Sequence, residues 1–261
     1  MVMEKPDGGR WLVLLLLLPF AVPVLLFAYK QEIASAILGG NEMPVEVVIY
    51  LSIAAALVVA GKVYARYRLT EEWSTRDIVV TSTLAIAIGI LWVGWTWIWN
   101  LGQGIPVIGL YLGDFLNGFW MIGGVLVAYI IRKPGAALAG EMIAAITEIP
   151  LTPWGALVPV ILGLLQGAGA EAVFASTRYR SFSVITLCVA GIVAHLFGLL
   201  YSFWVSGYGA FQLNVILLLI VVRIISGAVL AGIPSKLIGD ALVPTGVLDG
   251  FAIARERQAE V

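Results

Sequence analysis

Charged residues are scarce in this chain of 261 residues, at 12% of the sequence, whereas soluble domains carry about 25%. Hydrophobic residues make up 61%, which is more apolar surface than a soluble fold can hide from water. The composition therefore predicts an integral membrane protein surrounded by the lipid bilayer. A net charge of −1 also excludes nucleic acid as a partner, because phosphate recognition needs a clustered basic face.

Cysteine and histidine each occur once, at Cys188 and His195. A single cysteine can form neither a disulfide framework nor a cysteine-based metal site within one chain. One histidine and one intramembrane candidate aspartate, Asp114, do not make the motifs that intramembrane proteolysis requires. The sequence also lacks a GxxxxGK[ST] phosphate loop, so the chain cannot hydrolyse ATP through that machinery. We therefore expect no enzyme, no catalytic residue, no metal and no cofactor.

Eight apolar runs follow one another along the chain. Only helices fit them, since open strands cannot satisfy their backbone groups in lipid. Crossing a hydrocarbon core of about 30 Å takes about 20 residues, so the run at 135–150 is marginal and can cross only if its acids face protein or water. The runs lie at about 11–29, 45–65, 77–99, 113–131, 135–150, 154–175, 183–206 and 212–236.

Lysine and arginine are concentrated in alternate connections between these runs. Under the positive-inside rule, this asymmetry places both termini in the cytoplasm of a multi-pass protein of the cell membrane, with eight crossings. The external connections at about 100–112, 150–153 and 207–211 carry no basic residue, and the one at 30–44 has only Lys30. The basic residues on the cytoplasmic side include Lys62, Arg66, Arg68 and Arg76, then Arg132 and Lys133, then Arg178 and Arg180, and finally Lys236, Arg255 and Arg257.

A polar segment of mixed charge at about 66–77 divides the chain as a cytoplasmic linker would. It predicts three regions: a two-helix transmembrane hairpin at 1–70, a six-helix substrate-binding membrane core at 71–255, and a cytoplasmic tail at 256–261. The hairpin holds few polar groups within its spans. It therefore fits an accessory anchor or an element that docks a partner.

Two acids in the short run suggest where a ligand binds. Glu141 and Glu148 are seven residues apart, which returns them to nearly the same face of a helix. The predicted orientation puts Glu148 near the external mouth and Glu141 deeper. Asp114, Asn117 and Trp120 follow at three-residue spacing and would line the same mouth.

Arg223 interrupts the last apolar run, and an intramembrane arginine is expected to pair with an acid or to face a wet cavity. From its expected depth, Glu171 or Glu141 is the nearer acid, and we expect a structural ion pair between Arg223 and Glu171. Gln166 and Glu171 lie in the glycine-rich stretch GLLQGAGAE, where helix backbones can approach closely.

Tryptophans crowd the end of the third run, at Trp92, Trp95, Trp97 and Trp99. They could simply form the interfacial belt that is usual for tryptophan in membrane proteins. Beside acids, they could also close over a ligand, because an indole face stacks on aromatic rings and holds cations. The expected substrate-binding residues are Glu148, Glu141, Asp114, Asn117, Trp120, Trp95, Trp99, Trp154, Gln166, His195 and Tyr201.

Small residues on the first and last core helices allow close packing. Ala85 and Gly89 share the first of these helices, and Gly227 and Ala231 share the last. Such pairs fit a surface for a partner subunit or contacts within the chain, and we expect the partner surface. Carboxylates and tryptophans around an outward-facing pocket suit a flat, amine-bearing or cationic heterocycle.

Several separated segments carry a resemblance to a known family. The stretches IIRKPGAALAGEMIAAITE, LLQGAGAEAVFASTRYR, VVRIISGAVLAG and TGVLDG closely resemble the YkoE family, over about residues 77–255. Members of that family are S components, the substrate-binding membrane subunits of energy-coupling factor (ECF) transporters. The N-terminal hairpin, residues 1–70, is not part of that resemblance.

The resemblance implies a six-helix S-component core and the import of thiamine or its hydroxymethylpyrimidine precursor. It also implies partners, namely a transmembrane coupling subunit and two ATP-binding-cassette (ABC) ATPases. Glu141, Glu148, Gln166 and Glu171 are the family-like positions. Two alternatives stay open: an S component for another vitamin or heterocycle, and an assembly subunit of a membrane complex that transports nothing.

Overall fold

A computed structural model describes residues 72–259, and these residues are helical with short connections. The predicted hairpin at 1–70 lies outside the described residues, so the eight-helix count stays a prediction. Residue contacts separate two units. Leu69–Leu199 and Gln212–Val261 form the larger unit, and Leu200–Phe211 belongs to the other.

Within residues 72–259 the chain forms nine α-helices, numbered in chain order. A 3₁₀ turn, Asn117–Met121, joins the second and third helices, and a π-helical segment, Gly227–Gly232, joins the seventh and eighth. The helices are α1 (Thr75–Gln103), α2 (Gly109–Leu116), α3 (Ile122–Ile131), α4 (Ala136–Glu148), α5 (Leu157–Ser176), α6 (Val184–Trp204), α7 (Leu213–Ser226), α8 (Ile233–Leu242) and α9 (Ala252–Ala259).

Five of the six predicted core crossings are long and apolar enough to span a membrane. The predicted sixth, at 135–150, is a helix as expected, but α4 has only 13 residues and falls short of the roughly 20 that a crossing needs. The five spans are Thr75–Gln103, Gly109–Ile131, Leu157–Ser176, Val184–Phe203 and Leu213–Thr245.

The short helix α4 lies inside the bundle, packed against α1, α3 and α5. Small residues form these contacts. A Cβ on Gly89 of α1 would fall 2.6 Å from the carbonyl oxygen of Ala144, and one on Gly140 of α4 would fall 2.6 Å from the carbonyl oxygen of Gly123. Because side chains are absent at these points, the backbones come close enough for extensive van der Waals contact.

The small residues expected to face a partner are buried within this chain. Ala85 and Ala231 have no exposed surface, Gly89 packs on α4, and a Cβ on Gly227 would fall 2.6 Å from the carbonyl oxygen of Gly191. The expected partner surface is therefore wrong at these four positions. Small residues at helical spacing favour close packing, and here the neighbouring helices of the same chain supply it.

Glu171 of α5 fixes the beginning of α4. Its carboxylate accepts backbone N–H groups from Gly135 at 2.6 Å, Ala137 at 2.9 Å and Leu138 at 3.2 Å, and the hydroxyl of Tyr179 also donates to it. The first N–H groups of a helix have no partner within the helix and attract negative charge. Glu171 thus caps α4 from a neighbouring helix.

Arg223 of α7 pairs with Asp114 of α2, where a bond with Glu171 was expected. Its Nε and Nη2 atoms donate to the two carboxylate oxygens at 2.8 and 2.6 Å, and both side chains are 1% exposed. The expectation failed because α2 begins at Gly109, four residues before the predicted run. That earlier start carries Asp114 about a turn further into the bundle.

His195 of α6 completes this ion pair. Its carbonyl oxygen accepts Nη1 of Arg223 at 3.2 Å, and its Nδ1 lies 3.3 Å from the carbonyl oxygen of Arg223. One buried arginine thus links α2, α6 and α7.

Removing both members of this ion pair should cost less than the sum of the two single removals. Asp114→Leu or Arg223→Met alone leaves an uncompensated buried charge and should lower the free energy of unfolding by about 3 kcal/mol. The double variant should lose about 2 kcal/mol less than the sum of the two single losses. The free energies can be measured by titrating the detergent-purified protein with sodium dodecyl sulfate.

The surface ion pair between Arg132 and Glu256 is the matched control. Its Nη2 and Oε2 atoms lie 2.7 Å apart, and the Glu256 side chain is 58% exposed. Breaking this pair should cost less than about 1 kcal/mol, since exposed pairs stabilise little. Equal losses at the two pairs would contradict a dominant role for the Asp114–Arg223 pair.

Candidate functional site

Glu148 is the last residue of α4 and is 4% exposed. Nε1 of Trp120, from the 3₁₀ turn before α3, donates to Oε2 of Glu148 at 3.1 Å. This bond joins the end of the short helix to the break in the second span. The carboxylate thus lies between the end of α4 and the 3₁₀ turn that interrupts the second span.

Three tryptophans, which we call the aromatic cluster, meet beside this carboxylate: Trp99, Trp120 and Trp154. The ring centroids of Trp99 and Trp120 are 6.2 Å apart, and those of Trp99 and Trp154 are 5.2 Å apart. Both contacts are edge-to-face, a geometry that aromatic pairs favour. The cluster draws one indole each from α1, the 3₁₀ turn and the connection after α4.

Glu141 lies two turns deeper on the same buried face of α4, as the seven-residue spacing predicts. Its Oε2 accepts the backbone N–H of Gly124 at 2.6 Å. Its Oε1 is buried and has no hydrogen-bond partner among the described residues. A buried carboxylate that is only half satisfied costs free energy, and donors from a ligand would offset that cost.

Trp92 of α1 adjoins Glu141 and was not among the expected site residues. A Cβ on Gly123 would fall 2.9 Å from Oε2 of Glu141 and 3.0 Å from Cζ2 of Trp92. Nε1 of Trp92 is buried without a hydrogen-bond partner among residues 72–259. The sequence does carry a signal for this position, because paired glycines on α3 permit an acid and an indole to meet there.

Neither Glu141 nor Glu148 forms a salt bridge with any residue that the structure describes. The ion pairs found there join Arg132 to Glu256, Lys133 to Asp77, Arg223 to Asp114 and Lys236 to Asp240. Two acids and several indoles, with no cation paired to either acid in the described part of the chain, make a site that can accept N–H groups or a positive charge from a flat molecule.

The other expected site residues are dispersed. Asp114 belongs to the ion pair with Arg223 rather than to the aromatic cluster, although its spacing predicts a face shared with Trp120. The change from α-helix to 3₁₀ turn between these two residues alters the number of residues per turn. As a result, Asp114 faces α7 and Trp120 faces α4. Nε1 of Trp95 donates to the carbonyl oxygen of Leu116 at 2.9 Å, and its ring lies 4.4 Å from that of Phe119.

Asn117 is partly buried at the start of the 3₁₀ turn. Gln166 of α5 is buried against α6, where a Cβ on Gly198 would fall 2.9 Å from its Nε2. Nε2 of His195 is buried and has no hydrogen-bond partner in the described part of the chain. Tyr201 lies in the unit that contains Leu200–Phe211.

Comparison with known proteins gives matches over most of the chain. The family model for the permease component of ABC-type cobalt transport systems matches residues 76–197. The chain is 39% identical, over 187 residues, to the HMP/thiamine permease protein YkoE of Bacillus subtilis (strain 168), and the match covers 71% of this chain and 92% of that protein.

A solved structure is also similar. The crystal structure of an S-component of an ECF transporter matches with a TM-score of 0.69 and 38% identity, covering 72% of this chain and 95% of the other. These relatives are transporter subunits rather than enzymes, and the resemblance noted in the sequence is confirmed. The chain belongs to the YkoE family and is an S component of an ECF transporter.

Proposed function

We propose that this chain binds thiamine or its hydroxymethylpyrimidine precursor for import, with the ligand held between Glu148, Glu141 and the aromatic cluster. The observation that carries the proposal is the pair of buried carboxylates without a salt bridge in the described chain. The B. subtilis relative, whose name specifies HMP/thiamine, supports this ligand class.

The two ligands share an aminopyrimidine ring, and this shared part fits the acids. A carboxyl group and an aminopyrimidine edge can form two hydrogen bonds side by side, which fixes the ring in one plane. An indole can then stack on that plane. Thiamine adds a positively charged thiazolium ring, which the tryptophan faces and the second carboxylate would stabilise.

The proposed orientation puts Glu148 toward the external side. The opposite end of the bundle holds the basic residues Arg132, Lys133, Arg178, Arg180 and Lys236, which by the positive-inside rule face the cytoplasm. Both termini would then be cytoplasmic, in the cell membrane. This placement lets the ligand enter from outside and meet Glu148 before Glu141.

Import would require partners that supply energy. The sequence has no phosphate loop for ATP, so we assign ATP hydrolysis to two ABC ATPases that act through a transmembrane coupling subunit. The segment 1–70 would be a two-helix hairpin that anchors the chain or docks one of these partners. Binding of the ligand itself is assigned to the core at 71–255.

Glu148→Gln and Glu141→Gln should each weaken thiamine binding. Each change removes a charged acceptor, a loss of about 2 kcal/mol or roughly 30-fold in Kd. Fluorescence of the detergent-purified protein, titrated separately with thiamine, hydroxymethylpyrimidine, riboflavin and biotin, measures both affinity and ligand class. Riboflavin and biotin should give no saturable change.

The matched control for the acids is Glu72→Gln, since Glu72 is exposed and precedes α1. It removes the same charge and should leave Kd unchanged. Normal thiamine binding by the Glu141/Glu148 double variant would place the ligand elsewhere. A saturable response to riboflavin or biotin alone would instead favour an S component for another vitamin.

Tryptophan replacements should show whether the ligand contacts the aromatic cluster or an exposed tryptophan of α1. Trp154→Phe should reduce both the affinity for thiamine and the ligand-dependent quenching, because its ring contacts Trp99 inside the cluster. Trp97→Phe should change neither, since Trp97 is 73% exposed. Quenching that disappears in the Trp97 variant and persists in the Trp154 variant would refute the position of the site.

A further inference from the structure

Two buried polar atoms beside Gly123 of α3 have no partner in the described part of the chain. Oε1 of Glu141 and Nε1 of Trp92 each lack a hydrogen bond there, and both side chains are 1% exposed. One is an acceptor and the other a donor, since a carboxylate oxygen accepts and an indole N–H only donates. Leaving either atom unsatisfied costs free energy, so a group that satisfied both would stabilise the protein.

These two atoms lie in the same small region of the bundle. A Cβ on Gly123 would fall 2.9 Å from Oε2 of Glu141 and 3.0 Å from Cζ2 of Trp92. Oε1 shares its carboxyl carbon with Oε2, and Nε1 is bonded to the ring carbon next to Cζ2. Each unpartnered atom is therefore only two bonds away from an atom that lies beside Gly123.

Contacts between α3 and α4, and between α4 and the 3₁₀ turn before α3, divide the candidate site into two levels. At the inner level, the backbone N–H of Gly124 donates to Oε2 of Glu141 at 2.6 Å. At the outer level, the indole of Trp120 donates to Oε2 of Glu148 at 3.1 Å. The two acids are seven residues apart on α4, which is about 10 Å along the helix axis. A molecule with two linked rings can therefore present a different ring to each level.

The tryptophans of the two levels differ in how their indole N–H groups are used. Nε1 of Trp120 donates to Glu148, and Nε1 of Trp99 donates to the carbonyl oxygen of Gly113 at 3.0 Å. At the inner level, Nε1 of Trp92 has no acceptor among residues 72–259. The inner level thus offers a donor beside an acceptor, whereas the outer level offers indole rings beside an acid.

A donor beside an acceptor matches one edge of an aminopyrimidine. That edge carries a ring nitrogen, which accepts a hydrogen bond, next to an amino group, which donates one. Glu141 has only Oε1 available for a ligand, because Oε2 already accepts the N–H of Gly124. A carboxylate oxygen that accepts from the amino group has no hydrogen to donate to the ring nitrogen. The ring nitrogen therefore needs a separate donor, and Nε1 of Trp92 is placed to supply it.

We propose that Trp92 and Glu141 together select an aminopyrimidine ring, Trp92 by donating to its ring nitrogen and Glu141 by accepting from its amino group. This inference rests on the proposed function and assigns the two ends of thiamine. The pyrimidine lies at the inner level, and the thiazolium ring lies at the outer level beside Glu148 and the aromatic cluster. Both inner atoms are buried, so the Trp92 side chain must change rotamer to admit the ring, a change that is common on binding.

The pair should reject a pyrimidine in which oxygen replaces the amino group. With the thiazolium ring kept at the outer level, this analogue presents an oxygen to Glu141 and an N–H group to Trp92. Acceptor then faces acceptor and donor faces donor. Unpaired buried polar groups of this kind are what allow a binding site to discriminate strongly between similar ligands.

The test compares thiamine with this oxygen-substituted analogue by calorimetric titration of the full-length, detergent-purified protein. The parent should bind thiamine about 100-fold more tightly than the analogue. Trp92→Phe keeps an aromatic ring but removes the N–H donor, so it should weaken thiamine binding about tenfold and leave the analogue nearly unchanged. The preference for thiamine should therefore fall about tenfold. A purely structural role of Trp92 would weaken the binding of both ligands equally.

Trp97→Phe is the matched control, because it makes the same change on the same helix at a side chain that is 73% exposed. It should leave the preference for thiamine unchanged. Glu141→Gln is a second variant that keeps the shape of the side chain. Its amide can donate to the oxygen of the analogue, so this variant should also reduce the preference.

The outcomes separate this inference from the proposed function. Thiamine binding with a preference that falls in Trp92→Phe and Glu141→Gln, and not in Trp97→Phe, would support the inference. Equal affinity of the parent for the two ligands, or a preference that survives both variants, would overturn it while thiamine binding itself stands. Failure of the parent to bind thiamine would overturn the proposed function and this inference with it.

Discussion

The cost of burying carboxylates inside a membrane bundle is the constraint on which this structure depends. The lipid core holds no water that could hydrogen-bond a charged group. Each buried acid must therefore form hydrogen bonds or an ion pair with protein groups, take up a proton, or bind a ligand. The acids buried within residues 72–259 are Asp77, Asp114, Glu141, Glu148 and Glu171. They differ sharply in how fully their oxygens are engaged.

Three of these acids hold helices in place. Asp114 forms two hydrogen bonds with Arg223, Glu171 accepts three backbone N–H groups at the start of α4, and Asp77 bonds both Ser74 and Lys133. The side chains of the remaining two acids each accept one hydrogen bond from the described residues: Glu141 from a backbone N–H and Glu148 from an indole N–H. Incomplete engagement therefore separates the candidate ligand acids from the structural ones.

The shortness of α4 sets the depth at which Glu148, the outer acid of the candidate site, lies in the bundle. Glu171 fixes its first turn, and 13 residues then extend roughly 20 Å along the helix axis. That length is less than the hydrocarbon core of about 30 Å. Glu148, the last residue of α4, consequently lies short of a full crossing, where Trp120 of the aromatic cluster donates to its carboxylate.

Local spacing was enough to predict some of this arrangement. The interval between Glu141 and Glu148 fixed their shared face, because helix periodicity depends on nothing outside the helix. The partner of Arg223 was not predictable in that way, since it depends on where α2 begins. The burial of Ala85 and Gly89 depends likewise on which neighbour supplies the close contact, and the position of Trp92 depends on glycines of another helix.

The same contacts indicate which part of the site can move at least cost. Helix α4 is packed through Gly89 and Gly140 with almost no space between backbones, so displacing it would break extensive contacts with α1 and α3 and the N–H bonds to Glu171. Trp154 instead lies in a connection, is partly exposed and is held in the aromatic cluster by a ring contact. Moving Trp154 would therefore break fewer contacts than moving α4, the helix that carries both Glu141 and Glu148.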